Sequence, residues 1–574
     1  MSTNLSRKKR EKIIENIEIM RSKLQDNPEL LVTLNDIEAQ LKKKKYGLVW
    51  EDHEEKIDEE IKEKIPVFVE QKDLEIQSED ASKSINFILE GDNLHSLFLL
   101  EKTHRNKIDL IIIDPPYNRG LNDFIYDDNY IDKSDSFKHS KWISFMNKRL
   151  LVAKKLLKDN GVIFINIDDN EFAQLKLLCD DIFGEENFIS CFPWHNRTSV
   201  QNDTDISINH EYIIAYAKKR RITNRRLKAS NKDIWYDTKD FVIQPKETDS
   251  SKYSNPDDDP RGIWKADPFD APNVRPNLTY EIINPNTGVK YLPPKGRCWR
   301  TEPEKFQNLL ADNRIVFGKN GNSRPQLKVF YNEVKMKGEI RNSWFDADVY
   351  DTSTSGKKEL LDILQDKKIF NTPKPVNLYK EIIKMAISPK VKKPVILDFF
   401  AGSGTVGQAV LEEFSGKDAE FILCNSNENN ICREITYERI KRIIKGYNNQ
   451  KGYEVRGIDS NLKFYKVEYI DKYNNEKEGY YTANELAKHL KELVQLEHAI
   501  DIEKCDEIKI IYTDEEIDKF ANDEDAIKKC KIIYLGNNVL ITENQIEKFE
   551  SYNIKLNYIP DYYFEEELTE VEQW

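Results

Sequence analysis

The 574-residue sequence contains no CxxC pair, no GxxxxGKS/T and no apolar run near the roughly 18 residues that span a bilayer. Its seven cysteines (Cys179, Cys191, Cys298, Cys424, Cys432, Cys505 and Cys530) are scattered, which argues against a disulfide framework or structural zinc and fits a reducing cytoplasm. The eight histidines show no metal-ligand spacing, so no metal is expected. The basic N-terminal residues are followed by no apolar stretch, so neither a secretory signal nor a membrane partner is expected. An excess of positive charge is also missing. Lys and Arg number 88 against 101 Asp and Glu, a net of −13, which argues against a protein that simply coats nucleic acid.

That average conceals a strong asymmetry. Residues 217–341 hold 26 Lys/Arg against 16 Asp/Glu, a net of +10, whereas residues 451–574 hold 16 against 29, a net of −13. Separate modules follow, the basic one suited to phosphates. Residues 1–50 read as a helical segment, with Ile13, Ile17, Met20 and Leu24 on one stripe and Leu31, Leu34, Ile37 and Leu41 on a second. Residues 51–84 read as a charged linker with one strand at 66–70. From residue 85 the texture becomes α/β. Short β-branched runs at 108–113, 162–167 and 210–217 alternate with helical patterns such as 142–158. This predicts a doubly wound parallel sheet with both faces covered. Periodicity fades across 217–345 and resumes in 346–450, with strands at 394–399 and 420–424. Residues 451–574 read as a separate small α+β unit with strands at 463–469, 508–512, 531–535 and 555–559. An α/β domain in two sequence halves, 85–216 and 346–450, with a module inserted between them, is the arrangement predicted.

Two segments carry chemistry. Asp114, Pro115, Pro116 and Tyr117 directly follow the apolar run 108–113, at the strand end where open α/β sheets bind ligands. Two prolines fix φ and remove two backbone donors, leaving a carboxylate, carbonyl acceptors and an aromatic ring. Such a set suits an exocyclic amine on a flat ring. Asp114 and the Pro115 carbonyl accept the two N–H bonds while Tyr117 stacks on the ring. The second segment runs Asp398-Phe399-Phe400-Ala401-Gly402-Ser403-Gly404-Thr405, again strand into helix. Its glycines permit close backbone approach, and a carboxylate beside a small-residue turn suits an amine-bearing nucleoside cofactor.

Together the two segments resemble the motifs of DNA amino-methyltransferases that use S-adenosylmethionine, with DPPY catalytic and DFFAGSGT cofactor-binding. The DPPY ends 281 residues before Asp398 with the basic module between, the order of the beta class. GDNL at 91–94, NGVIFINIDDNE at 160–171, HEYIIAYAK at 210–218 and TPKPVNL at 372–378 further resemble the Mod subunits of type III restriction-modification systems. The resemblance implies a Rossmann-like methyltransferase sheet and methylation of the N6 amine of adenine in double-stranded DNA, the target base being flipped out. It implies that Asp114, Pro115, Pro116 and Tyr117 are catalytic. Asp398, Phe400, Ala401, Gly402, Ser403, Gly404 and Thr405 would bind the cofactor, with Thr372, Lys374 and Pro375 closing over it and Asp92 near its adenine. The family's ribose-binding acidic residue has no direct counterpart, leaving Asn425 or Glu428 for that role.

The basic insert takes the place of a target recognition domain, with Arg225, Arg226, Arg261, Arg297, Arg300, Arg314 and Arg324 as candidate DNA contacts. The run Asp257-Asp258-Asp259 precedes Pro260 and reads as a turn rather than a metal site. Without a nucleotide-triphosphate loop, this chain cannot itself translocate or cleave DNA in the ATP-dependent manner of such systems. The resemblance implies a homodimer and a separate restriction (Res) subunit carrying ATPase and nuclease activity. Methylation of cytosine N4, a solitary methyltransferase without a nuclease, and a non-catalytic DNA-binding specificity subunit are the alternatives.

Overall fold

A computed structural model describes residues 55–80, 83–120, 135–200, 205–219, 250–318, 320–337, 342–365, 372–388, 391–472 and 480–572, with isolated positions among 12–53 and 124–130 and at 370. The expected N-terminal helical segment lies largely outside the described residues. Two compact units emerge, one of Met1–Arg220, Trp344–Tyr379 and Lys392–Trp574, the other of Arg221–Ser343 and Lys380–Val391.

The first unit is built on β1 (Lys64–Glu70), β2 (Ile85–Glu90), β3 (Ile108–Ile113), β4 (Leu157–Ile167), β5 (Phe188–Trp194), β6 (Glu211–Ala217), β7 (Val395–Asp398), β8 (Glu420–Asn425) and β9 (Asn461–Asp471). They form one sheet in the order β1-β9-β2-β8-β7-β3-β4-β6-β5. The six strands from β9 to β4 are parallel, and β1, β6 and β5 join by antiparallel pairing. Every residue of β3 is buried, including the apolar Ile108 and Leu110–Ile113, as a strand covered on both faces requires. Helices α1 (Asn93–His104), α2 (Lys138–Leu156), α3 (Phe172–Phe183), α4 (Thr405–Glu413) and α5 (Leu490–His498) accompany it. The Asp92 carboxylate caps α1, accepting the Leu94 N–H at 2.6 Å. Helix α2 buries Trp142, Met146 and Leu150 on one face, and it covers most of the helical pattern expected over 142–158.

Two features position the site. The chain order reverses at the centre of the sheet, where β7 is followed outward by β8 on one side and β3 by β4 on the other. Such a point of reversal opens a crevice at the strand carboxyl ends. Because β3 and β7 are hydrogen-bonded neighbours in parallel register, with Leu397 beside Ile111, the residues after both strands emerge side by side.

One element differs from expectation. Strand β9 does not belong to a separate C-terminal unit. It pairs with β2 along Ile85–Glu90 and extends the large sheet. The change of charge near residue 451 marks the surface, whereas strand pairing follows the buried run Leu462, Phe464, Tyr465 and Val467. Beyond it, β10 (Ile508–Ile511), β11 (Ile532–Gly536) and β12 (Lys555–Ile559) form a small parallel sheet with its own core around Ile517, Ile533 and Phe549.

The second unit has a core of Phe269, Ile282, Trp299, Phe306, Ile315 and Phe317 beneath short antiparallel strands, among them Trp264–Pro268 and Gln326–Phe330.

Candidate active site

At the end of β3 the chain passes through Asp114, Pro115, Pro116 and Tyr117. The Trp142 indole N–H of α2 donates to the Pro116 carbonyl at 2.7 Å and anchors this loop from beneath. Asn118, at φ +59°, turns the chain out of the loop in a left-handed conformation that asparagine tolerates. The Tyr117 hydroxyl donates to Asp114 Oδ1 at 2.7 Å. Lys374 places its Nζ 3.0 and 2.9 Å from the two Asp114 oxygens, 2.9 Å from the Tyr117 hydroxyl and 3.4 Å from Glu211. Burial alone works to lower the Lys374 pKa, but Asp114 and Glu211 outweigh it and the ammonium is held more firmly charged than usual. Burial, with Asp114 and Glu211 adding to it, pushes the Tyr117 phenol well up. Arg119 lies 4.7 Å over the Tyr117 ring while bonding Asp168 at 2.7 Å. The ring is therefore covered on one face and 6% exposed, not an open stacking platform.

Beside it, β7 ends at Asp398, which is 4% exposed. Its Oδ1 accepts the Phe400 N–H at 2.9 Å, and burial pushes its carboxyl well above the usual range. The chain then turns through Gly402 at φ +48° and Gly404 at φ +76°, conformations that cost a side-chain-bearing residue dearly. Space is short as well, since a Cβ on Gly404 would lie 3.3 Å from the Thr436 carbonyl. The turn is braced from behind by the fully buried Arg439, which donates to Ser403 Oγ at 3.1 Å, Thr405 Oγ1 at 2.8 Å and Gln408 at 2.7 Å. Asn425, at the end of β8, donates its amide to the Gly402 carbonyl at 3.1 Å and so holds the turn itself. Glu428 lies exposed in the 3-10 turn that follows. Thr405 Oγ1 donates to the Lys374 carbonyl at 3.3 Å, tying the cofactor-type turn to the residue that faces Asp114.

The family model for DNA methylases of the N6/N4 type matches residues 108–436. The chain belongs to this DNA methylase family. Among curated relatives, the StyLTI Mod subunit of a type III restriction-modification enzyme from Salmonella typhimurium is 38% identical over 63% of this chain and 56% of its own length. The EcoPI Mod subunit of Escherichia phage P1 is 32% identical over 61% of the chain and 59% of its own length. The type II methyltransferase M.KpnI of Klebsiella pneumoniae is 33% identical over 68% of the chain and 92% of its own length. The chain thus spans a little over half the length of the type III subunits it matches.

The remaining candidates fall in different places. Pro375 and Lys374 are buried and Thr372 is exposed. Asp92 carries the cap described above, and Arg149 approaches it at 3.4 Å. Arg225 and Arg226 lie outside the described residues. Arg261 pairs with Asp259 at 2.8 Å and Asp312 at 3.0 Å, Arg314 with Glu333 at 2.6 Å, Arg300 with Asp267 at 2.8 Å, and Arg297 with Asp270. Arg324 is exposed. Asp257 and Asp259, in the turn the sequence suggests, both pair with the buried Lys328. Among the described residues no cluster suited to a metal is found.

Glu211, Arg119, Trp142 and Arg439 were not singled out from sequence. Glu211 and Arg119 sit inside or directly beside quoted motifs, and charge next to such motifs was the available signal. Trp142 and Arg439 read as ordinary helix residues, and nothing in the local sequence distinguishes them.

Proposed function

We propose that the chain transfers a methyl group from S-adenosylmethionine to the N6 amine of adenine in double-stranded DNA, as the Mod subunit of a type III restriction-modification system. The supporting observation is the adjacency of Asp114 and Asp398 at the ends of neighbouring parallel strands. One carboxylate faces an amine substrate while the other faces a cationic cofactor. The residues fit that cofactor. The buried Asp398 carboxyl calls for an ammonium partner, and the glycine turn with its helix N-terminus accepts close backbone approach. Asp398, Phe400, Ala401, Gly402, Ser403, Gly404 and Thr405 would hold its amino-acid part, and residues 372–375 would close over it. When bound, S-adenosylmethionine supplies a methyl group made electrophilic by its sulfonium.

Asp114 and the Pro115 carbonyl would accept the two amine hydrogens, which draws the nitrogen lone pair out of conjugation with the ring. As the amine gains a methyl group it gives up one proton, for which the Asp114 carboxylate is the adjacent acceptor. Lys374 and the Tyr117 hydroxyl hold that carboxylate in place. Catalysis on this reading is positioning and directed hydrogen bonding. The basic insert would read the site, and a second copy and a Res subunit would complete the assembly. Asp114→Ala tests the reading. Loss of methyl transfer to DNA with cofactor binding retained supports it, and retained transfer overturns it. Nucleoside analysis of the product separates N6-methyladenine from N4-methylcytosine.

A second reading has one observation in its favour. M.KpnI aligns over 92% of its own length and is a type II enzyme, which suits a methyltransferase that works without a dedicated partner subunit.

A further inference from the structure

The segment NIDDNE at 166–171 stands at the end of β4, and no reaction step described above uses it. Its side chains nevertheless grip the catalytic loop on both flanks. Asn166, 1% exposed, donates to the carbonyl of Ile113, the residue before Asp114, at 2.9 Å. Asp168 accepts from Arg119 at 2.7 Å, and Arg119 covers the Tyr117 ring. Glu171 accepts from the Asn118 amide at 2.6 Å, the residue after Tyr117. The Glu171 side chain is fully buried and its Oε1 also meets His139 Nδ1 at 2.7 Å, while Oε2 has no hydrogen-bond partner.

We infer that residues 166–171 form a positioning cradle for the loop 114–117, in which Glu171 acts as the neutral acid with its proton directed at His139. This inference rests on the methyltransferase reading for its kinetic test alone. An ionised carboxylate with an orphan buried oxygen would be costly there, whereas a neutral acid needs one acceptor, which the His139 nitrogen supplies. Burial raises the Glu171 pKa to about 8 against the pull of Asn118 and Lys138, and Asp168 adds to the rise. Burial and Lys138 lower the pKa of His139, so the imidazole is neutral and can accept. Gln174, whose amide lies 3.3 Å from His139 Nδ1, is the remaining neighbour of the pair.

The test compares the wild-type chain with Glu171→Gln and Glu171→Ala from pH 5 to pH 9.5. Loss of the cradle contact in Glu171→Ala should lower kcat about 10- to 100-fold with cofactor affinity kept within about threefold, because a small misplacement of reacting groups has that effect. Glu171→Gln, which keeps the shape and a hydrogen to donate, should recover kcat to within about threefold and lose the alkaline fall that the wild type shows as pH passes about 8. A thermal readout works without any activity. A raised folded-state pKa means that wild-type stability falls as pH rises from the ordinary carboxyl range to about 8, so Glu171→Gln should flatten that fall. Unchanged kcat in Glu171→Ala, or a Glu171→Gln variant that keeps the wild-type pH dependence of melting, overturns the cradle. Wild-type chain that melts as described yet transfers no methyl group to DNA counts against the methyltransferase reading instead.

Discussion

Lys374 holds its ammonium within 3.0 Å of both oxygens of Asp114, although the two residues are 260 positions apart in the chain. The ammonium donates to the carboxylate at hydrogen-bond distance, as the amine of a bound base is proposed to do. The backbone carbonyl of Lys374 is held at the same time by Thr405 of the glycine turn. One residue thus joins the two strand ends on which the chemistry is proposed to depend, and Glu211, 3.4 Å from Nζ, offers a second acceptor when a substrate amine takes the Asp114 oxygens.

Replacing Lys374 with Met keeps the apolar stem and removes the charge. The expected result is a fall in kcat of about 10- to 100-fold, with the cofactor dissociation constant changed less than about threefold. Steady-state kinetics beside calorimetric titration of the cofactor checks the split. A lysine that served the cofactor alone would show the reverse.

Asp398→Asn should separate stability from binding. The folded-state pKa of Asp398 is raised by burial, so its contribution to stability is present at acid pH and is lost as pH rises. At pH 7 the neutral amide should raise the melting temperature of the cofactor-free chain by about 2–4 °C. Cofactor affinity should fall at least about tenfold, because a charged hydrogen-bond partner is gone. Scanning calorimetry and titration measure the two effects, and a variant that melts lower would contradict the assignment.

Within the insert, Arg324 and Arg314 should behave oppositely. Arg324 is exposed, whereas Arg314 is committed to Glu333 and Asp312. Arg324→Ala should weaken DNA binding and lower the salt dependence of that binding by about one unit of slope, with melting unchanged. Arg314→Ala should lower the melting temperature by several degrees. Fluorescence anisotropy at several salt concentrations, with thermal melting, distinguishes the two.

Much of the α/β core was legible because its signals are local. Residues 108–113 read as a buried strand from composition alone, and DPPY and DFFAGSGT each lie within one strand-to-loop transition. What escaped depends on separation. Asn166 and Ile113 sit on different strands, and their contact requires the β3–β4 register. The charge balance that sets strand β9 apart shifts near residue 451, yet its pairing with β2 is decided by backbone hydrogen bonds and buried side chains. For the insert, a count of arginines cannot tell one facing solvent from one neutralised by an aspartate such as Asp270 or Asp267.

By itself the sequence determined which residue types stand at two strand ends and in what order along the chain, because turn chemistry and strand patterning act over a few residues. Only the tertiary structure decided that those ends are neighbours, that Lys374 faces Asp114, and that residues 166–171 grip the catalytic loop. Those relations come from sheet order and side-chain packing, which bring together groups that no local pattern relates.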